Sequence, residues 1–342
     1  MSDTITVVAV TYSPGEALLA FVDTLRRATT APLKILLVDN GSTDGSVERM
    51  VGHDDVRLIR AGSNVGYGVA ANLGVAASDS ELVVVANPDV EWHPGSLDRL
   101  IDAARRYPDG GAFGPLVITA NGDVYPSARR LPSLKIGIGH ALLGFWWPRN
   151  PFTVAYRVDD QPPKERAAGW LSGCCMLLRR SAFEQVSGFD PDFFMYFEDV
   201  DLCERLAQAG WASVYVPSAT ITHTRAHITS RHATKMAIEH HRSAWRYVSR
   251  RYPGITRWPL RTLLRLGLTV RSVLAQHIPR LATGGGAERQ WLGNGDTHHL
   301  NGHSHGTNGH AVLGEVPLQP IRLDREEALV RVDREDEPRS AS

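Results

Sequence analysis

The sequence predicts an α/β domain: a mixed, mostly parallel sheet flanked by helices. Two observations carry this. Short apolar runs at 5–10, 35–38 and 82–86 and a strand at 56–59 each stop at polar residues, and helices are read between them. The run 82–86, Leu-Val-Val-Val-Ala, is apolar on both faces and too short for a helix, as expected of a strand buried inside a parallel sheet. The resulting order, β-α-β-α-β-α-β with right-handed crossovers, is that of half a nucleotide-binding domain. Such sheets bind ligands outside the carboxyl ends of their strands. The residues that follow each strand are therefore the first place to look for function.

The first strand, 5–10, ends at Thr11-Tyr12-Ser13-Pro14. Ser13 is expected to cap a helix with Pro14 at its first position, carried by Leu18, Leu19, Phe21, Val22 and Leu25. The second strand, 35–38, runs into Asp39-Asn40-Gly41-Ser42-Thr43-Asp44-Gly45. An acid at a strand end, such as Asp39, is placed to contact a ribose or base. No Gly-x-Gly-x-x-Gly follows the first strand, which disfavours a nicotinamide-binding domain. Asp44 reads as the cap of a helix from Ser46. After the third strand, 56–59, come Asn64-Val65-Gly66-Tyr67-Gly68 and a helix through Ala76. Glycine there lets the backbone approach a ligand, and a helix amino terminus favours anions. Asn72 on that helix reads as a solvated position. The fourth strand, 82–86, ends in Asn87-Pro88-Asp89. That is ordinary turn chemistry, but a carboxylate on so rigid a support can also hold a divalent cation against a diphosphate. A helix over 95–107 follows.

Two strands, 112–118 and 122–125, are expected around an Asn121-Gly122 turn. The stretch 135–151 is rich in glycine and aromatics, with Phe145-Trp146-Trp147 before Arg149. It reads either as a lipid-proximal or sugar-stacking surface or as ordinary loop packing. Residues 170–180 read as one return strand, with Gly173 marking a bulge or close approach. Ser181 is expected to cap a short helix ending at Gly188. Then an aromatic wall, Phe193-Phe194-Met195-Tyr196-Phe197, precedes Glu198, Asp199 and Asp201. Desolvation beside aromatics raises a carboxylate's pKa, which suits a general base. Asp201 and Glu204 fit the first turn of a helix over 200–209, where the dipole favours acids. Glu198 and Asp199 are expected to precede that helix and are the better site candidates. A strand at 211–216 follows, and His223 beyond it can act as a further metal ligand.

Composition bounds the remainder. The 342 residues allow one large or two modest domains, and 43% hydrophobic content supplies a core. Cys174, Cys175 and Cys203 make no disulfide framework. No signal peptide and no run long enough to cross a membrane is seen, so a cytosolic or peripherally attached protein is expected. The formal net charge is zero but unevenly spread: residues 241–280 hold nine arginines and no acid, interleaved with Trp245, Tyr247, Tyr252 and Trp258. This segment reads as an interfacial, anionic-membrane-binding helix. An ordinary solvated helix is the plainer reading, and no nucleic-acid motif accompanies it. From 283 the chain turns to Gly, Asn and His, then mixed charge, and is expected to be disordered. Three regions result: a domain over 1–240, the basic aromatic segment 241–282 and a tail over 283–342.

Taken in order, these pieces resemble the family 2 inverting glycosyltransferases of GT-A fold over roughly residues 4–245. The resemblance rests on Val-Val-Ala-Val-Thr-Tyr (7–12), Val-Asp-Asn-Gly-Ser-Thr-Asp-Gly (38–45), Asn-x-Gly-Tyr-Gly (64–68), Asn-Pro-Asp (87–89) and Phe-Met-Tyr-Phe-Glu-Asp-Val-Asp-Leu (194–202). The runs 125–129, 145–151 and 169–173 are similar to the members that build a cell-wall linker. These move L-rhamnose from dTDP-L-rhamnose to N-acetylglucosaminyl-diphospho-polyprenol. The resemblance implies that Thr11, Tyr12, Asp39, Asn40, Gly41, Asn64, Gly66, Asn87 and Asp89 bind the donor, with Asp39 on the thymine ring. It implies Asp199 as catalytic base and Asp89 with His223 as ligands of Mg²⁺ or Mn²⁺. Trp170, Gly173 and Glu198 fall to the acceptor. Asn87 departs from the family's Asp-x-Asp pattern and leaves one charge fewer on the metal. Such an enzyme would sit peripherally on the cytoplasmic face of the plasma membrane and bind no nucleic acid. Two alternatives stand beside it: a relative using another donor such as UDP-galactofuranose, and a non-catalytic carbohydrate-lipid-binding scaffold.

Overall fold

Val7, Val8 and Ala9 are fully buried, and the sheet is laid on either side of them. The computed structural model describes residues 4–132, 147, 150–152, 163–224 and 233–254, with scattered positions between 258 and 269. In it β1 (Ile5–Thr11) pairs in parallel with β2 (Leu33–Asp39) on one side and β4 (Leu82–Ala86) on the other. Parallel β3 (Val56–Arg60) extends the sheet beyond β2. Across β4 the pairing turns antiparallel, to β11 (Cys175–Arg179) and then to β6 (Gly110–Thr119). Next comes β12 (Ala212–His223), parallel to β6, and β5 (Val90–Trp92) closes the edge antiparallel to β12. A hairpin joins β6 to β7 (Val124–Tyr125), and β9 (Arg166–Ala168) lies on the start of β12. β8 (Ala128–Arg129) and β10 (Trp170–Leu171) form a separate two-stranded sheet. The sheet is mixed and mostly parallel in its first half, as the apolar runs predict.

Alternation along β1 feeds two cores. Val7 and Ala9 face Leu18, Phe21 and Leu25 of α1 (Ala17–Leu25) and Leu97 and Leu100 of α3 (Ser96–Arg106). Val8 and Val10 face Ala70 and Ala71 of α2 (Tyr67–Ala76), Phe183 of α4 (Arg180–Gln185), and Leu202 and Leu206 of α5 (Glu198–Gln208). Each large apolar side chain so buried is worth roughly 1.5–3 kcal/mol, whereas a side-chain cap is worth about 1 kcal/mol. None of α1 to α5 has a side-chain cap hydrogen bond at its amino end. Burial, not capping, holds these helices.

That ordering explains several departures from expectation. Ser13 does not cap α1: it has φ 50°, and the helix starts at Ala17. No α-helix follows Ser46, only a 3-10 turn at Glu48–Met50, while Asp44 accepts the Ser46 and Gly15 amides. Ser181 lies inside α4, whose N-cap is Arg179. Asn72 is not a solvated position, since its amide exchanges two hydrogen bonds with the Phe189 backbone. Strand 170–180 is broken at 172–174 into β10 and β11, which belong to different sheets. Helix α5 begins at Glu198, so Glu198 and Asp199 occupy its first turn rather than precede it.

A last helix, α6 (Ala233–Arg251), runs across residue 240 and packs on the domain through buried Ser243, Ala244 and Tyr247. Arg246 and Arg250 pair with Asp192, Arg250 also with Asp190, and Arg251 pairs with Glu204 of α5. These three arginines of the basic segment therefore serve the fold. Phe145 and Trp146, and the tail over 283–342, lie outside the described residues.

Candidate active site

The carboxyl ends of β1, β2 and β4 open on one side of the sheet, and the loops beyond them are tied to one another. Asp39 ends β2 almost fully buried. It accepts Thr11 Oγ1 at 3.3 Å and the Ser42 amide at 2.9 Å, and pairs with Arg60 at 3.3 Å. Asn40, also buried, uses both ends of its amide on the next loop: Nδ2 donates to Gly66 O at 3.1 Å and Oδ1 accepts the Val65 amide at 3.1 Å. Gly41 adopts φ 97° beside it, and Asn64 Oδ1 accepts the Gly66 amide. Tyr12 is exposed at the rim. Asn40 therefore shapes the 64–66 turn.

That turn reaches the second half of the site. Tyr67 donates its amide to Phe194 O at 3.0 Å and its hydroxyl to Gly173 O at 2.7 Å. Gly66 allows this approach: its φ is 91°, and a Cβ there would lie 2.5 Å from Phe194 O. Gly173 in turn donates its amide to Asp199 Oδ2 at 2.9 Å. The neighbouring Cys174 carbonyl accepts the Asn87 amide at 2.8 Å. The break between β10 and β11 thus connects the turn after β3, the end of β4 and the start of α5.

Asp89 and His223 meet because β5 and β12 pair to the last residue. His223 stands opposite Val90, and the Thr224 amide and hydroxyl both donate to Asp89 O. His223 Nε2 lies 3.1 Å from Asp89 Oδ1 and 3.4 Å from Asn87 Nδ2. The residues at 87, 89 and 223 therefore converge. Among the described residues no group of three or more His, Cys, Asp or Glu forms a ready cage. A carboxylate and an imidazole are donors that fit a divalent cation whose remaining ligands come from an oxygen-rich substrate.

Glu198 is buried and Asp199 half-buried beside it. Burial pushes the Asp199 carboxyl above its ordinary value, opposed by the Gly173 and Val200 amides. Burial, and then the Asp199 charge, push Glu198 up to about 8, and its Oε2 has no hydrogen-bond partner. Glu198 is thus a neutral acid at pH 7. Burial raises the Tyr67 hydroxyl as well. Trp170 is buried beneath the Arg129 guanidinium at 5.2 Å, itself 5.3 Å from the Tyr125 ring.

The family model for glycosyl transferase family 2 matches residues 6–187, and one for glycosyl transferase family group 2 matches 156–282. The chain belongs to glycosyl transferase family 2. This transferase is 52% identical over 286 residues to the N-acetylglucosaminyl-diphospho-decaprenol L-rhamnosyltransferase of Mycobacterium tuberculosis, covering 80% of this chain and 93% of that one. It is 30% identical to the rhamnosyltransferase WbbL of Escherichia coli over 56% of this chain and 73% of that one. A solved mannosyltransferase of Pyrobaculum calidifontis, in complex with GDP-Man and Mn²⁺, superposes with TM-score 0.50 at 17% identity over 86% of this chain and 76% of that one. The fold is GT-A and the chain is a glycosyltransferase.

Sequence reading missed three contributors to the site. Arg60 carries only the signal of a cation at a strand end. Tyr67 stands inside the quoted 64–68 motif. Arg129 stands inside the 125–129 run.

Proposed function

We propose that this transferase moves L-rhamnose from dTDP-L-rhamnose to N-acetylglucosaminyl-diphospho-polyprenol with inversion at the anomeric carbon. The sugar and acceptor follow the name of the M. tuberculosis relative, at 52% identity over nearly all of that protein. The reaction class rests on one observation: Asp199 is aimed from the first turn of α5 by the Gly173 amide, one residue from the backbone contact that anchors Asn87.

An inverting transfer is a single displacement. The acceptor hydroxyl attacks the anomeric carbon, its proton passes to Asp199, and the bond to the nucleoside diphosphate breaks with its electron pair on the diphosphate. Burial makes Asp199 a stronger base than a solvated aspartate, while the Gly173 and Val200 amides favour its charged form. Neutral Glu198 places no second negative charge beside it. Asp39, fixed by Thr11, Ser42 and Arg60, offers a rigid acceptor for a thymine N–H. Asp89 and His223, the latter through Nε2, are the residues that would hold Mg²⁺ or Mn²⁺. When bound there, such a cation supplies Lewis-acid stabilisation of the departing diphosphate.

The acceptor is a membrane lipid, so the enzyme works at the cytoplasmic leaflet as a peripheral protein. No helix among the described residues is long and apolar enough to cross a membrane. Arg246, Arg250 and Arg251 are engaged with the domain, whereas Trp258 and Leu266 are exposed. The part of the basic segment from Trp258 onward is therefore the part that meets anionic lipid.

The test is the mass of the lipid product. Purified protein is given N-acetylglucosaminyl-diphospho-polyprenol, Mg²⁺ and a panel of sugar nucleotides that includes UDP-galactofuranose, with and without EDTA. A deoxyhexose increment from dTDP-L-rhamnose alone, lost with EDTA, is expected. A hexose increment from another donor would replace the sugar assignment. No increment from any donor would remove this acceptor.

A further inference from the structure

Two adjacent aromatic residues, Tyr196 and Phe197, hold left-handed backbone conformations, at φ 68° and 67°. For bulky side chains this is costly and persists only where surrounding contacts over-determine it. Phe197 is also the residue from which α5 begins, so the pair sets the direction in which Glu198 and Asp199 leave the chain.

Helix α6 packs on the pair. The His240 ring packs on Tyr196 at 5.4 Å and on Phe197 at 5.5 Å. Buried Tyr247 packs on Phe197 at 5.6 Å. Buried Ser243 donates its hydroxyl to Met195 O at 2.8 Å. One turn further along α6, the arginine pairs to Asp190, Asp192 and Glu204 fasten both flanks of the same segment. The other side of the segment is held by the Tyr67 amide on Phe194 O.

We infer that α6 is a positioning element for Asp199, with Tyr247, His240 and Ser243 holding the left-handed Tyr196-Phe197 pair that aims the carboxylate. The inference rests on the reading of Asp199 as the base. These residues act on Asp199 through the 195–197 segment, as positioning residues rather than catalytic ones.

The test uses the full-length enzyme, dTDP-L-rhamnose and the lipid acceptor, with kcat, KM and thermal unfolding measured together. Tyr247→Ala and Ser243→Ala should lower kcat, Tyr247→Ala by about tenfold or more, while KM for the donor stays near wild type. Tyr247→Phe, which keeps the ring, should retain wild-type kcat. The decisive variant adds Phe197→Gly to Tyr247→Ala. Glycine adopts positive φ without steric cost, so the double variant should regain kcat severalfold over Tyr247→Ala alone. Wild-type kcat in both single variants, or a double variant that unfolds like wild type and shows no recovery, overturns the inference. If Tyr247→Ala does not fold, Ser243→Ala carries the test, its kcat loss at unchanged KM supporting the inference and wild-type kcat overturning it. Asp199→Asn is measured in parallel. If it keeps turnover, the base assignment fails; if it is inactive while the α6 variants are normal, only the positioning role fails.

Discussion

The amide of Gly173 donates to Asp199 Oδ2 at 2.9 Å, across a break in what would otherwise be a continuous strand. A Cβ at 173 would lie 3.3 Å from Asp199 Cβ and 3.4 Å from Oδ2. Gly173→Ala is therefore predicted to push the carboxylate by a few tenths of an ångström without unfolding the protein. Turnover should fall roughly tenfold with dTDP affinity unchanged. Wild-type turnover in this variant would show that the alignment of Asp199 is not set at Gly173.

Glu198 makes stability depend on pH. Its carboxyl titrates near 4.5 when unfolded and near 8 when folded. Between those values the folded state binds more protons, so stability is greatest below 4.5 and is lost as pH rises to about 8. The loss is on the order of a few kcal/mol. Glu198→Gln should flatten this slope in denaturant titrations across that range. A slope identical to wild type would mean that Glu198 is ionised in the folded protein.

Asp89 and His223 should control cation dependence. Asp89→Asn and His223→Ala are each predicted to raise the Mg²⁺ or Mn²⁺ concentration for half-maximal activity by roughly tenfold or more. An unchanged cation titration in His223→Ala would reduce its 3.1 Å contact with Asp89 to a structural hydrogen bond.

Gly66→Ala is predicted to destabilise the fold by about 2 kcal/mol or more, from the left-handed backbone and the lost approach to Phe194. Urea unfolding reads this directly. A variant as stable as wild type would mean that the turn and the 193–197 segment move apart freely.

The central strands were legible because strands buried on both faces are continuous apolar runs, and 82–86 matches β4 residue for residue. Asp39, Asp89 and His223 stand out in the sequence by their place at strand ends or in a motif, and Asp89 and His223 lie 3.1 Å apart in the fold. What escaped was set by contacts distant in sequence. Gly173 signals a bulge or close approach but not a full break between sheets, because its partner Asp199 is 26 residues on. The start of α5 was misplaced because Phe197, a poor left-handed residue, begins it where Gly or Ser would have signalled it. The composition of 241–280 shows a basic helix but not that Arg250 reaches back 60 residues to Asp190. Asn72 looked solvated because its backbone partner lies 117 residues away.

The central claim is that Asp199 takes the acceptor's proton in a direct displacement, and Asp199→Asn tests it most directly. The substitution keeps the side chain's shape and removes its basicity. With dTDP-L-rhamnose and N-acetylglucosaminyl-diphospho-polyprenol, turnover should drop by about 10²–10⁴-fold while dTDP binding, read by calorimetry, stays at the wild-type value. Turnover close to wild type with binding intact would contradict the account and place the base elsewhere.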